Sequence, residues 1–113
     1  MSLFGDKSEK IRKWGEKGKK DKLVEMLNKG EPKYRAEAAT ALGKVQNSEV
    51  INVLISTIRD SDPVVRANAI ESLGNLKAKN AEEHIRRAIE SETVPEIKEK
   101  AQTALEKVRH GAN

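Results

Sequence analysis

The chain has 113 residues, of which 36% are hydrophobic, 35% charged and only 3% aromatic, a composition that suits one compact domain or a short array of helical repeats. The absence of cysteine excludes disulfides, thiolate metal sites and cysteine nucleophiles. No apolar run is long enough to span a membrane, and the first residues lack the apolar core of a secretory signal, so we expect a cytoplasmic protein with no membrane association.

The net charge of +4 is unevenly distributed along the chain. Residues 7–33, which we call the N-terminal lysine cluster, carry ten Lys or Arg residues against five acidic ones. Such a run is usually a solvated helix face, and less often the footprint of an acidic partner.

Three prolines, Pro32, Pro63 and Pro95, lie 31 and 32 residues apart, and each begins a similar stretch of sequence. Apolar residues recur after each proline at helical spacings of three and four. One position of this stripe is held in turn by Leu42, Leu73 and Leu105. Self-similarity at a fixed period of this size indicates a stacked repeat protein.

In chain order, residues 1–31 are predicted to be a degenerate repeat that caps the array. Ile11 falls in register with Leu42, so residues 6–15 indicate a shortened first helix, and a second amphipathic helix follows it.

Trp14 lies in this degenerate first helix. Together with Leu3 and Phe4 it either caps the core or forms an exposed patch that pairs two chains. We expect a monomer, with a dimer through the Trp14 region as the alternative.

Two central repeats, residues 32–62 and 63–94, each contain two amphipathic helices joined by a short turn. Glu31 and Asp62 precede two of the prolines, where an acid caps a helix or favours its N-terminus. The second helix is clearest in the first of these repeats, where its apolar residues are Val50, Ile51, Leu54, Ile55 and Ile58.

Residues 95–109 are predicted to be a capping helix with a polar surface, followed by a tail at 110–113. First helices thus alternate with second helices. The sequence predicts an all-α fold: a right-handed α-α superhelix, or solenoid, of about three and a half helical hairpins and about seven helices, forming a single domain over residues 1–113.

Residues 62–74, Asp-Pro-Val-Val-Arg-Ala-Asn-Ala-Ile-Glu-Ser-Leu-Gly, resemble a HEAT-like repeat of the short kind found in phycobilisome-lyase-type proteins. They match the motif Asp-Pro-x-Val-Arg-x-x-Ala-x-x-x-Leu-Gly with full spacing, and residues 31–43 match it loosely. The match at 94–106 is weak, since Lys98 and Glu106 replace the Arg and the final Gly. The resemblance implies a helical solenoid that serves as a binding platform, without naming the partner.

In that family an Asp near the end of the second helix commonly pairs with the Arg six residues later. Asp60 and Arg66 have this spacing. The resemblance therefore implies a structural pair that holds neighbouring repeats in register.

Two kinds of enzyme share the resemblance, bilin lyases and deoxyhypusine hydroxylase. The hydroxylase uses several His-Glu pairs to hold two irons, whereas this chain has only His84 and His110. No phosphate-binding glycine loop and no Gly-x-Ser-x-Gly elbow occurs. We predict no catalytic, metal-binding or cofactor-binding residue, and we interpret His84 as a partly buried structural histidine.

In a solenoid of this type the second helices line the concave face, the usual binding surface. The repeat register predicts three outward ladders and one row beside the core. The ladders are Asp21, Asn52 and Glu83; Glu25, Ser56 and Arg87; and Asn28, Arg59 and Glu90. The inner row is Lys22, Val53 and His84. Val53 is the most informative, because an apolar side chain in a semi-exposed place is stabilised by being covered.

The function that these observations favour is a non-catalytic protein–protein interaction module, or adaptor, that binds a partner on the concave face. One alternative is a nucleic-acid-binding protein that uses the N-terminal lysine cluster, although the acidic residues in the ladders weaken attraction to phosphates. Another is an accessory subunit or chaperone of an enzyme.

Overall fold

A computed structural model describes residues 6–111, which form seven α-helices and one short 3₁₀-helix, with no strand among these residues. The first-type helices are α1 (Ser8–Glu16), α3 (Pro32–Leu42), α5 (Pro63–Asn75) and α7 (Pro95–His110). The second-type helices are α2 (Lys20–Lys29), α4 (Ser48–Thr57) and α6 (Glu82–Ser91), with the 3₁₀ turn Lys79–Ala81 before α6. Leu3 and Phe4, expected to support Trp14, lie outside the described residues.

The starts of the first-type helices follow from the sequence around the prolines. Proline occupies the first turn of α3, α5 and α7, where its missing N–H costs no hydrogen bond. Asp62 Oδ1 accepts hydrogen bonds from the backbone N–H groups of Val64 and Val65, at 2.9 and 3.1 Å, and so caps α5. Glu31 makes no side-chain capping bond, so its contribution is the charge beside the start of α3.

The four first-type helices pack side by side into one layer. Small residues make this close approach possible. A Cβ added to Gly74 of α5 would lie 2.9 Å from the Cα of Ala104 in α7, and one added to Gly15 of α1 would lie 2.9 Å from the Cβ of Ala41 in α3. Neither glycine therefore has room for a side chain at these crossings.

The hydrophobic core lies between this layer and the second-type helices. Each second-type helix packs against the first-type helix of the following unit, in the pairs α2–α3, α4–α5 and α6–α7. Leu42 and Leu73 are fully buried there, and Leu105, in the last helix, is 9% exposed. The helical solenoid expected from the sequence is thus confirmed.

Second-type helices make few contacts with one another. Clefts consequently open between the second-type helices, on the side of the molecule away from the first-type layer.

Candidate functional site

The outward sides of α2, α4 and α6, together with the turn that follows α4, form one surface, which we call the second-helix face. Arg59, predicted to lie on the second helix itself, is instead in that turn, because α4 ends at Thr57. Val53 and His84 are half-buried on this face. The third residue of the inner row, Lys22, is exposed, and so are all the ladder positions, namely Asp21, Glu25, Asn28, Asn52, Ser56, Arg59, Glu83, Arg87 and Glu90.

Two clefts separate successive helices of this face. The α4–α6 cleft has a volume of about 580 Å³, and its lining includes Arg59, His84 and Arg87. The α2–α4 cleft, of about 330 Å³, is lined at the equivalent positions by Asn28, Val53 and Ser56. The structure therefore brings two repeat-related triplets of predicted residues together.

The remaining residues of the ladders and the inner row line neither of these clefts. Asp21 pairs with Lys20 at 3.0 Å, and Glu25 pairs with Lys29 at 3.5 Å. Glu83 contacts Arg87 at 3.5 Å along α6. These pairs are exposed to solvent, so they contribute little to stability and mainly set the local charge.

Two arginines bind the acidic residues that follow the second-type helices α4 and α6. The Asp60 carboxylate accepts hydrogen bonds from Nη1 of Arg35 at 3.0 and 3.3 Å. Arg66 donates to both oxygens of Glu92, at 3.0 and 3.1 Å, and to the backbone carbonyls of Asp60 and Ser61, at 3.0 and 3.3 Å.

The predicted carboxylate pair between Asp60 and Arg66 is therefore wrong in its partners. Each arginine binds the acid at the end of its own hairpin, because the second-type helix returns the chain to that point. Arg66 still reaches the preceding loop, but through the carbonyl group of Asp60. This contact links α5 to the turn before it through the backbone of Asp60, and the role of the two residues in holding neighbouring repeats in register stays a prediction.

The Glu92 carboxylate has a lowered pKa. Hydrogen bonds from Arg66 are the main cause, helped by the backbone N–H of Val94, and burial opposes them only in part. Glu92 is therefore held in its charged form, and the arginine neutralises that charge within the fold.

Sequence reasoning missed three hydroxyl residues in the lining of the α4–α6 cleft: Ser61, Ser91 and Thr93. They lie at or beside the ends of second-type helices, where helical periodicity carries no signal. The available clue was their position next to the repeated acids Asp60 and Glu92.

Four lysines of the N-terminal lysine cluster lie over aromatic rings. Lys10 and Lys22 lie 6.0 and 5.5 Å from the Trp14 ring centroid, and Lys7 and Lys33 lie 5.9 and 5.5 Å from that of Tyr34. This end of the array thus combines positive charge with half-buried aromatic rings.

Within residues 6–111 no group of three or more His, Asp or Glu side chains is placed to hold a metal ion. His84 lies in α6, whereas His110 ends α7. None of the helices described is long and apolar enough to cross a membrane.

The alternating helices and their two layers define an α-helical repeat array. A family model described as HEAT repeats matches residues 21–106, which is more than half of the chain. The chain belongs to the HEAT-repeat family.

Two known proteins show how far the similarity extends. Deoxyhypusine hydroxylase of Arabidopsis thaliana is 32% identical over 79 residues, which make up 68% of this chain and 25% of that protein. The chain thus spans about a quarter of the length of this relative. An engineered protein, whose crystal structure comes from the Northeast Structural Genomics Consortium, is 26% identical with a TM-score of 0.60, over 92% of this chain and 51% of that one.

Proposed function

We propose that this protein is a non-catalytic interaction module, or adaptor, that binds a partner protein through the second-helix face. The two clefts between its second-type helices carry the proposal. Within residues 6–111 the side chains of Arg59 and His84 make no hydrogen bond or ion pair, so the fold makes no use of their polar groups.

The period of the clefts favours a protein partner. The α2–α4 and α4–α6 clefts lie one repeat apart, so an extended segment of a partner meets similar depressions at successive repeats. Half-buried Val53 supplies apolar surface beside polar Ser56, and a mixture of this kind is typical of protein interfaces.

The proposal includes no catalytic role. The similarity to deoxyhypusine hydroxylase covers about a quarter of that enzyme, so the activity of the whole enzyme is not carried over to this chain. If the partner protein is an enzyme, the same binding role makes this chain an accessory subunit or chaperone of that enzyme. The concave shape of the face, the division into repeats at 32–62 and 63–94, and the cytoplasmic location stay predictions.

Nucleic-acid binding is the second candidate, favoured by the lysines that flank Trp14 and Tyr34. It places the partner at the N-terminal end of the array instead of along the second-helix face. The two candidates therefore differ in location and in their response to nuclease.

Photo-crosslinking distinguishes them. A benzophenone amino acid placed at Ser56 samples the second-helix face, and the same group at Gln102, exposed on α7, serves as the matched control. In lysate of the source cells we expect nuclease-resistant protein adducts from position 56 and few from position 102. Adducts that disappear with nuclease, or that form equally at both positions, contradict the proposal.

A further inference from the structure

We propose that the α4–α6 cleft is a carboxylate-binding site that takes an acidic segment of a partner protein. The inference rests on the proposed function and specifies the chemistry of the partner.

The acids in the cleft are already neutralised. Asp60 is paired with Arg35 at 3.0 Å, and Glu92 is paired with Arg66 through two hydrogen bonds of 3.0 and 3.1 Å. Neither carboxylate is left to balance a further cation. The charge that remains in the cleft is therefore positive.

Arg59 and Arg87 supply that charge. The Arg59 side chain is exposed and has no hydrogen-bond or ion-pair partner within the described part of the chain. Arg87 is 63% exposed and has only a 3.5 Å contact with Glu83, one turn away on its own helix. A guanidinium group presents a planar fork of donors that matches the two oxygens of a carboxylate.

The rest of the lining narrows the ligand further. Ile58, which is 5% exposed, and half-buried Ala88 give the cleft an apolar part, while Ser61 and Thr93 add hydroxyl groups. An aliphatic side chain next to an acidic one matches this combination. We therefore assign the cleft to a segment in which Glu or Asp neighbours Leu, Ile or Val.

The preceding repeat supplies an internal comparison. Asn28 and Ser56 occupy in the α2–α4 cleft the places of Arg59 and Arg87. The scaffold thus already accommodates neutral side chains at these positions. The anion site belongs to one repeat, and it arises from two side chains and not from the fold in general.

Exposed acids nearby favour a peptide over a nucleic acid. Glu83 and Glu90 lie on the same helix as Arg87, and both are exposed. A continuous phosphate backbone is repelled by them along its length, whereas a short peptide carries its carboxylates on flexible side chains, so that one can lie beside Arg59 while the others point away from these acids.

The test is an NMR titration of the ¹⁵N-labelled full chain at low salt with the peptide acetyl-Glu-Glu-Leu-Glu-Glu-amide. The same peptide with Gln for Glu is the ligand control. The double variant Arg59→Asn with Arg87→Ser copies the α2–α4 cleft, so it should fold. Lys17→Asn with Lys98→Ser removes the same charge from exposed sites that line neither cleft.

We expect the Glu peptide to shift the amide signals of residues 58–61 and 84–93, and the Gln peptide to shift them little. The Arg59→Asn, Arg87→Ser variant should bind roughly threefold to tenfold more weakly, and the lysine variant should bind about as the natural chain does. Equal binding of both peptides, equal losses in both variants, or tighter binding of single-stranded oligothymidine at this cleft overturns the inference.

The two proposals fail in different ways. If Ser56 yields protein adducts but the Glu peptide does not bind, the acidic-segment inference is wrong and the interaction module stands. If the Glu peptide binds but Ser56 yields no protein adduct, the carboxylate site stands without the wider proposal.

Discussion

Arg66 and Glu92 form a two-bond ion pair in the lining of the α4–α6 cleft, with Nε to Oε1 at 3.0 Å and Nη2 to Oε2 at 3.1 Å. Their side chains are 19% and 7% exposed. Because Arg66 also donates to the carbonyl groups of Asp60 and Ser61, one side chain of α5 joins the loops on both sides of its own hairpin.

Replacing Glu92 by Gln should lower the free energy of unfolding by about 1–3 kcal/mol at neutral pH, because the charge-assisted bonds weaken while the guanidinium stays largely buried. Arg66 holds the pKa of Glu92 below its ordinary value of 4.5. The stabilisation is therefore fully present above that value and is lost as the pH falls through the lower pKa of the folded protein. Urea unfolding at a series of pH values measures it.

The difference between natural chain and Glu92→Gln should narrow once the pH drops below 4.5, the ordinary pKa of the carboxyl group. Glu99→Gln, an exposed change on α7, is the control and should stay within about 0.5 kcal/mol of the natural chain. A difference that does not depend on pH would show that the ion pair is not the cause.

Helices α3, α5 and α7 were predictable because proline fixes the first turn of each and the apolar stripe behind it recurs with helical period. The pairing of Arg66 with Glu92 was not predictable, because sequence spacing indicates which residues are neighbours only within a single helix, and these two residues lie on different elements. The acids that end the two central hairpins also differ in type and spacing, since Asp60 and Glu92 lie 32 residues apart whereas Arg35 and Arg66 lie 31 apart. That both acids bind the arginine of their own hairpin is visible only in the structure, where α4 and α6 return the chain to the start of α3 and α5.

The sequence predicted which residues belong to the candidate site, but it did not predict which of them share a cleft. Repeat register alone places Arg59 on one second-type helix and His84 and Arg87 on the next. That they share a cleft depends on the separation of α4 and α6, which follows from the packing of each helix against the first-type layer. Ser61 and Thr93 lie beyond helix ends, where no periodicity marks the exposed side.

Asp62 and Glu31 hold equivalent places but should differ in energetic effect. Asp62→Ala removes an oxygen that accepts two backbone hydrogen bonds, so we expect a loss of about 1 kcal/mol, within a usual range of about 0.5–2. Glu31→Ala removes no capping bond and should cost less than about 0.5 kcal/mol. Chemical denaturation of the two variants compares them, and a larger loss from Glu31→Ala would contradict the capping assignment.

Leu73 and Leu105 occupy the same repeat position at different depths in the array. Leu73 is fully buried in α5, between α3 and α7, and its replacement by Ala should cost about 2–5 kcal/mol through lost burial and a cavity. Leu105 lies in the last described helix, 9% exposed and with a neighbouring first-type helix on one side only. Leu105→Ala should therefore cost less in thermal or urea unfolding. Equal losses would count against a linear stack, in which each unit is stabilised by its neighbours.

Substitution of Trp14 distinguishes a residue that caps the hydrophobic core from one that lies in an interface between two chains. The half-buried Trp14 ring packs against the core and lies beneath Lys10 and Lys22. If Trp14 caps the core, Trp14→Ala should lower the stability of a monomer by about 1–3 kcal/mol, less than for a fully buried tryptophan, and Trp14→Phe should restore much of the loss. Thermal unfolding measures the stability, and light scattering after size-exclusion chromatography measures the mass. A natural chain that is dimeric and becomes monomeric in Trp14→Ala, with little loss of monomer stability, would place Trp14 in an interface between two chains instead.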